Sequence, residues 1–208
     1  MWQLEPAWQA DVLARAWRAA QPFPHLVVDD FASARDLEDL LAILDEEPVE
    51  RYEGDIFAFD ATAPEPTTSD LRAVREQFAR VLAPALTQVT GKPVARADMR
   101  AYAYRPGHYL LPHSDHQEGL ARVLAYAYYL PSPEPPVGGE LELYCCEHDG
   151  SAITSVAGAC LIEPRPNRLV VFDVSDVSLH QVREVLDGLR LSLAGWFYPA
   201  EPAAEQPR

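Results

Sequence analysis

Basic side chains are scarce in this chain: 17 lysines and arginines stand against 32 aspartates and glutamates, for a net charge of -15. Sequence-independent binding to nucleic acid or anionic lipid needs a surplus of cations, so both roles are disfavoured, whereas a basic protein or peptide partner is compatible. Long apolar runs are missing too. Val123 to Leu130, among the longest, falls far short of the roughly 20 residues of a membrane-spanning helix. Glu5 and Asp11 sit among the first residues with no basic block leading into an apolar one, so no secretory leader is expected. There are 3 cysteines, of which Cys145 and Cys146 are adjacent. That is a poor disulfide framework without zinc-type spacing, and the expected setting is a reducing cytoplasm with the cysteines as strand filling.

What is present suits a globular protein. With 208 residues, 48% of them hydrophobic, the chain has the size of one domain, residues 1–208, with a substantial core. The first part, about 1–92, reads as mostly helical. Trp8, Val12, Leu13 and Trp17 recur at helical spacing over Glu5 to Ala20, and a short extended run follows at His25 to Val28. Ser33 caps a helix through Leu44. Thr67 to Thr90 is helical again, with Thr68 or Ser69 as cap, Pro84 breaking or kinking it, and Gly91 ending it. Beyond Gly91 the period changes to short β-branched or aromatic segments, about eight of them, from Met99 to Tyr198. That count predicts a mainly β (α+β) fold, a double-stranded β-helix or jelly-roll core over about 93–198, with the N-terminal helices packed outside. Residues 199–208, rich in proline, are expected to fray. Tyr52 and Phe57-Ala58-Phe59, within residues 50–66, allow either a lid or an ordinary edge strand, and the edge strand is favoured because most apolar strand residues are packing.

The residues with chemistry are few. His113 and Asp115 are two apart, which on an extended segment puts both on one face. Six histidines and fifteen aspartates make about 0.4 such pairs by chance in a chain of this length, so the pair informs only in context. His180, after the apolar run Leu169 to Phe172, is a candidate third ligand. Two histidines and a carboxylate hold a divalent iron on one face with open positions opposite. Leu189-Arg190-Leu191-Ser192-Leu193 alternates strictly, so Arg190 and Ser192 share a face. An inward guanidinium requires a partner, and a bound dicarboxylate or a structural acid could each provide it. His25, His108, His116 and His148 are expected not to bind iron, though His108 or His116 could touch a substrate at the cavity mouth.

These pieces occur in an order that resembles the iron- and 2-oxoglutarate-dependent dioxygenases, specifically their prolyl-hydroxylase-like branch. The matching segments are Tyr104-Arg105-Pro106-Gly107, His113-x-Asp115, Tyr128-Tyr129-Leu130, Gly138-Gly139-Glu140-Leu141, Asn167 to Phe172, His180-Gln181-Val182, and Arg190-x-Ser192 running to Gly195-Trp196-Phe197. They cover about 98–198. Pro22 to Phe31 resembles a lead-in segment of bacterial relatives. The resemblance implies that His113, Asp115 and His180 bind Fe(II), and that Arg190 pairs with the far carboxylate of 2-oxoglutarate. It also implies a tyrosine donor at Tyr129 and a cosubstrate-lining tyrosine at Tyr104. The spacings Tyr104 to His113 and His180 to Arg190 differ by a residue from some members. Ser192, on the face of Arg190, is a candidate hydroxyl for the carboxylate site.

The implied reaction uses O2 to hydroxylate an unactivated C-H, with release of succinate and CO2. Asp115 argues against halogenation, since related halogenases carry a small residue there. A prolyl residue in a protein or peptide is the lead substrate, and free proline or another small metabolite is the alternative. The rival from another class is a non-catalytic jelly-roll module that holds a metal, which would have no need of Arg190.

Overall fold

The computed structural model describes every residue except 1, 3, 5–7, 151 and 201–208. The Glu5-Pro6 start of the first expected helix and most of the expected frayed tail therefore lie outside the described residues. The elements run α1 (Ala10–Ala19), β1 (His25–Val28), α2 (Ala34–Leu44), β2 (Val49–Gly54), β3 (Phe57–Thr62), α3 (Ser69–Thr90), β4 (Arg96–Ala97), β5 (Arg100–Tyr104) and β6 (Tyr109–His113). They continue through β7 (Leu124–Leu130), β8 (Val137–Gly138), β9 (Leu141–His148), β10 (Ile153–Ile162), β11 (Leu169–Asp173), β12 (His180–Val182), β13 (Val185–Asp187) and β14 (Arg190–Tyr198).

The helices follow their local signals. Ser33 Oγ accepts from the Asp36 amide and caps α2; Thr68 does the same for α3 from the Leu71 amide. Gly91 ends α3 at φ 74°, a left-handed conformation that suits glycine. Pro84 neither breaks nor divides α3, which continues to Thr90. Pro84 and Arg80 are both exposed, so the Arg80 carbonyl that loses its amide partner faces water. In α1, Trp17 is buried while Val12 is 48% exposed, so Val12 does not belong to the core face expected of it.

The main sheet has the order β1-β11-β7-β14-β5-β3-β6-β12-β9-β10, with β2 added to β3 and β4 to β14; β8 and β13 form a separate pair. It is antiparallel and curls on itself. Phe172 of β11 and His180 of β12 stand far apart in the strand order, yet their rings lie 4.6 Å apart. This is the jelly-roll architecture. Strand β7 is buried along its whole length because both of its faces are covered. Leu124, Tyr126, Tyr128 and Leu130 join the core shared with Phe78, Leu82 and Leu86 of α3, while Ala125, Ala127 and Tyr129 face Phe172, Leu141 and Leu143 inside the curl. Small side chains on that inner face leave space.

The expectation that corrects most is residues 50–66. Phe57-Ala58-Phe59 does not form an edge strand: β3 lies inside the sheet, paired with β2 on one side and, on the other, with β5 at Asp60 and Ala61 and with β6 at Phe57 and Ala58, whereas Tyr52 stands on an edge strand as expected. The edge is β2. The part about 1–92 is therefore not simply helical, since it supplies three strands. The segment Leu179 to Val185, read as one strand, divides into β12 and β13, which pair with different partners.

Candidate active site

The curl encloses a cavity of about 320 Å³ whose lining includes His113, Asp115, His180, Arg190, Ser192 and Tyr104. Strands β6 and β12 are antiparallel neighbours, with His180 directly opposite His113. Asp115 follows two residues later. One ligand atom from each of these three side chains lies within 4.8 Å of the others.

The histidine tautomers are set by backbone carbonyls. Nδ1 of His113 faces the Leu111 carbonyl at 2.9 Å, and Nδ1 of His180 faces that of Ser178 at 3.0 Å. A donor at Nδ1 leaves the lone pair on Nε2, which is how metal-binding histidines are commonly oriented. Both Nε2 atoms point at the Asp115 carboxylate, 3.8 Å from His113 to Oδ1 and 3.5 Å from His180 to Oδ2. Burial holds the His180 imidazole well below its ordinary pKa, with Asp115 opposing, so the ring stays neutral and able to donate to a metal. The segment after His113 is pinned by Ser114 Oγ donating to the Ser175 carbonyl and Arg122 donating to that of Asp115. Arg122 also stacks on Trp196 at 3.5 Å. This donor set, two imidazole nitrogens and a carboxyl oxygen, fits a divalent iron.

A second group of residues is built around Arg190, which is 3% exposed. Tyr104 is its cross-strand partner on β5, and Ser192 lies opposite both Tyr102 and Tyr129. The guanidinium carbon sits 4.8 Å from the Tyr104 ring and 4.9 Å from that of Tyr129. Nη1 donates to Ser192 Oγ at 3.2 Å. Among the described residues no carboxylate pairs with Arg190. Its Nε and the Tyr129 hydroxyl are both buried without a hydrogen-bond partner. Burial also pushes the Tyr104 phenol up, so it stays a neutral donor. A buried cation with an unpartnered Nε, beside the unpartnered Tyr129 hydroxyl and the Tyr104 ring, fits a carboxylate ligand, and the structural ion-pair alternative for Arg190 is not what the structure contains.

Gly139 makes this arrangement possible: at φ 71°, a Cβ there would come within 2.9 Å of Arg190 Cδ and of Val185 Cγ2. The other histidines are engaged elsewhere. His108 is buried against Arg51, His116 pairs with Asp176 at 3.1 Å, His148 accepts from the Gly150 amide, and His25 faces the Phe23 carbonyl. Sequence reasoning missed Arg100 and Tyr102, which also line the cavity, and misjudged Phe57 and Phe59, which line it too.

Residues 99–198 match the family model of the 2OG-Fe(II) oxygenase superfamily. The chain is similar to that superfamily over just under half of its length. The cofactors of these enzymes are Fe(II), 2-oxoglutarate and O2, and the matched segment of this chain holds the His-Asp-His cluster. The chain is 32% identical over 186 residues to the Mus musculus prolyl 3-hydroxylase OGFOD1, an alignment that covers 85% of this chain and 33% of that protein. The chain thus spans about a third of the length of the curated relatives it matches. In fold, the chain is similar to a Pseudomonas putida prolyl-4-hydroxylase, with TM-score 0.67, 22% identity, and coverage of 91% of this chain and 100% of that one. It is also similar to a Trichoplax adhaerens prolyl hydroxylase in complex with a peptide fragment of the hypoxia inducible factor oxygen degradation domain. There the TM-score is 0.65 at 14% identity, covering 93% and 94% of the two chains. Among the described residues no helix is long and apolar enough to cross a membrane.

Proposed function

We propose that this protein is an oxygenase that hydroxylates a prolyl residue in a protein or peptide, acting as one domain in a reducing cytoplasmic setting. His113, Asp115 and His180 hold Fe(II). Arg190, with Tyr129, Tyr104 and Ser192, holds the far carboxylate of 2-oxoglutarate. The chemistry supplied by iron, 2-oxoglutarate and dioxygen when bound is conversion of an unactivated C-H to C-OH, with release of succinate and CO2. The observation that carries the reading is the buried guanidinium without an internal carboxylate, in the same cavity as the His-Asp-His cluster.

The protein's own residues bind, orient and exclude water. The Leu111 and Ser178 carbonyls fix the two imidazoles, so neither has to rotate when metal arrives. Tyr104 and Tyr129 flank the guanidinium, and Ser192 holds one of its nitrogens, which leaves the planar fork pre-positioned for a carboxylate. Phe57, Phe59 and Leu110 give the cavity apolar walls suited to a pyrrolidine ring. The proline-type relatives support this substrate class, whereas a non-catalytic metal-binding module leaves Arg190 without purpose.

The test begins with anaerobic addition of Fe(II) and 2-oxoglutarate, where a visible metal-to-ligand charge-transfer band is expected. Succinate release is then screened against prolyl peptides, free proline, other amino acids and nucleic acid, with mass spectrometry for one added oxygen. A missing band, together with unchanged iron affinity in His113→Ala, overturns the oxygenase site. Turnover of free proline but of no peptide overturns the substrate class.

A further inference from the structure

Strand β5 reads Arg100-Ala101-Tyr102-Ala103-Tyr104, so Arg100, Tyr102 and Tyr104 share one face. Their partners on β14 are Ala194, Ser192 and Arg190, in that order. Arg190 thus stands opposite one end of β5 and Arg100 at the other, about 13 Å apart along the strand at the usual rise. Both line the cavity, and the one acidic residue among its lining is Asp115 of the metal cluster. Within a chain of net charge -15, this interior carries two arginines against one carboxylate.

Arg100 is held as firmly as Arg190. Its Nε and Nη2 both donate to the Thr62 carbonyl, at 2.9 and 2.5 Å. Its guanidinium carbon lies 4.8 Å from the Tyr52 ring and 5.3 Å from the Tyr102 ring. Among the described residues no carboxylate pairs with it. Two strands therefore position one cation: β3 through Thr62 and β2 through Tyr52. On the reading above, the two carboxylates of 2-oxoglutarate are taken by Arg190 and the metal, which leaves Arg100 to the substrate.

We propose that Arg100 is a specificity-determining residue that binds a carboxylate carried by the substrate close to its target proline. The inference rests on the oxygenase reading for its choice of substrate and not for the charge selection itself. Two sources share this chemistry: the C-terminal carboxylate of a terminal or free proline, and an Asp or Glu side chain beside an internal one. A planar guanidinium in a partly desolvated wall discriminates a carboxylate from its amide by strength of pairing as well as by charge.

The experiment is equilibrium binding, read by tryptophan fluorescence since Trp196 lines the cavity, on the bare protein and on protein loaded with Mn(II) and 2-oxoglutarate. The probes are acetyl-proline against acetyl-prolinamide, and acetyl-Pro-Asp-amide against acetyl-Pro-Asn-amide. Wild type is expected to prefer one carboxylate probe over its neutral twin by at least tenfold, and the pair that shows it identifies the source. Arg100→Gln should bring that ratio to about one, and Arg100→Glu should instead favour acetyl-Pro-Lys-amide. Should the variants fail to fold, added salt should lower the carboxylate preference of wild type while leaving the neutral probes unmoved. Equal binding of both twins to wild type overturns the proposal, as does an equal loss for both in Arg100→Gln, which would make Arg100 a bracket for β2 and β3. Absence of the charge-transfer band in wild type fails the oxygenase reading instead, and the twin-probe ratio still decides Arg100.

Discussion

Two buried arginines of this protein are treated in opposite ways. Arg168, 9% exposed, forms a two-point pair with Asp29, Nε to Oδ1 at 2.6 Å and Nη2 to Oδ2 at 2.9 Å, while Nη1 reaches the Glu163 carbonyl. Each nitrogen has an acceptor from the chain itself. Arg190, 3% exposed, has a serine hydroxyl, two ring faces and a nitrogen with no partner. A guanidinium that serves the fold brings its carboxylate within the sequence. One that serves a ligand is buried incomplete, at a cost in stability, and binding completes it.

Removing Arg190 should produce the largest change. Arg190→Met is expected to weaken 2-oxoglutarate at least a hundredfold, about 3 kcal/mol for loss of a buried charge-paired contact, with iron affinity nearly unchanged. Its ligand-free stability should hold or rise, because an uncompensated charge has gone. Calorimetric titration and urea unfolding measure both; equal losses of iron and cosubstrate would make Arg190 a structural residue like Arg168.

A buried carboxylate offers the matching case on the stability side. Glu47, 5% exposed, accepts from the amides and hydroxyls of both Thr67 and Thr68, joining the end of α2 to the cap of α3. Burial alone would raise its pKa, but these four bonds outweigh burial and hold it down to about 2, from 4.5. A carboxyl depressed in the folded state stabilises above its unfolded pKa, and that contribution fades as pH falls through the folded value. Glu47→Gln should therefore cost about 2 kcal/mol at pH 7, with the difference from wild type shrinking between pH 4.5 and about 2. A difference constant across that range would contradict it.

Gly139→Ala tests how closely the open arginine is fitted to its backbone. The added methyl meets Arg190 Cδ and Val185 Cγ2 at a left-handed φ, so a roughly tenfold loss of 2-oxoglutarate affinity, about 1.4 kcal/mol, is expected, against little change in iron binding. An unchanged cosubstrate affinity would mean that the guanidinium tolerates displacement.

What could be read from the chain follows the range of the interactions. The alternation around Arg190 and the caps of α2 and α3 are local, and they were legible. His180 meets His113 only through the β6-β12 pairing, so its candidacy as a third ligand rested on resemblance and not on spacing. Strand β3 was misread because it lies between β2 and the successive strands β5 and β6, which are far from it in sequence, and no local pattern signals that long-range pairing. Arg100 had a signal in the alternation of Arg100, Tyr102 and Tyr104 with two alanines. It lacked a partner in the sequence, since Thr62 and Tyr52 come from the misread hairpin. Pro84 was overweighted because propensity does not say which side of a helix faces water.

The smallest effect belongs to the satisfied arginine. Asp29 is 52% exposed at its side chain, so solvent screens the pair, and Asp29→Asn should cost only about 1 kcal/mol in urea unfolding at neutral pH. The Arg168 hydrogen bonds lower the Asp29 pKa, which places its contribution above the ordinary carboxylate range and removes it in acid. The variant should leave 2-oxoglutarate affinity untouched, because Arg168 lines neither the cavity nor the metal cluster. A shift in cosubstrate affinity on Asp29→Asn would couple the two arginines through β11 and β7, which pair Leu169 with Tyr128, next to Tyr129. That result would remove the distinction between a guanidinium held for the fold and one held for a ligand.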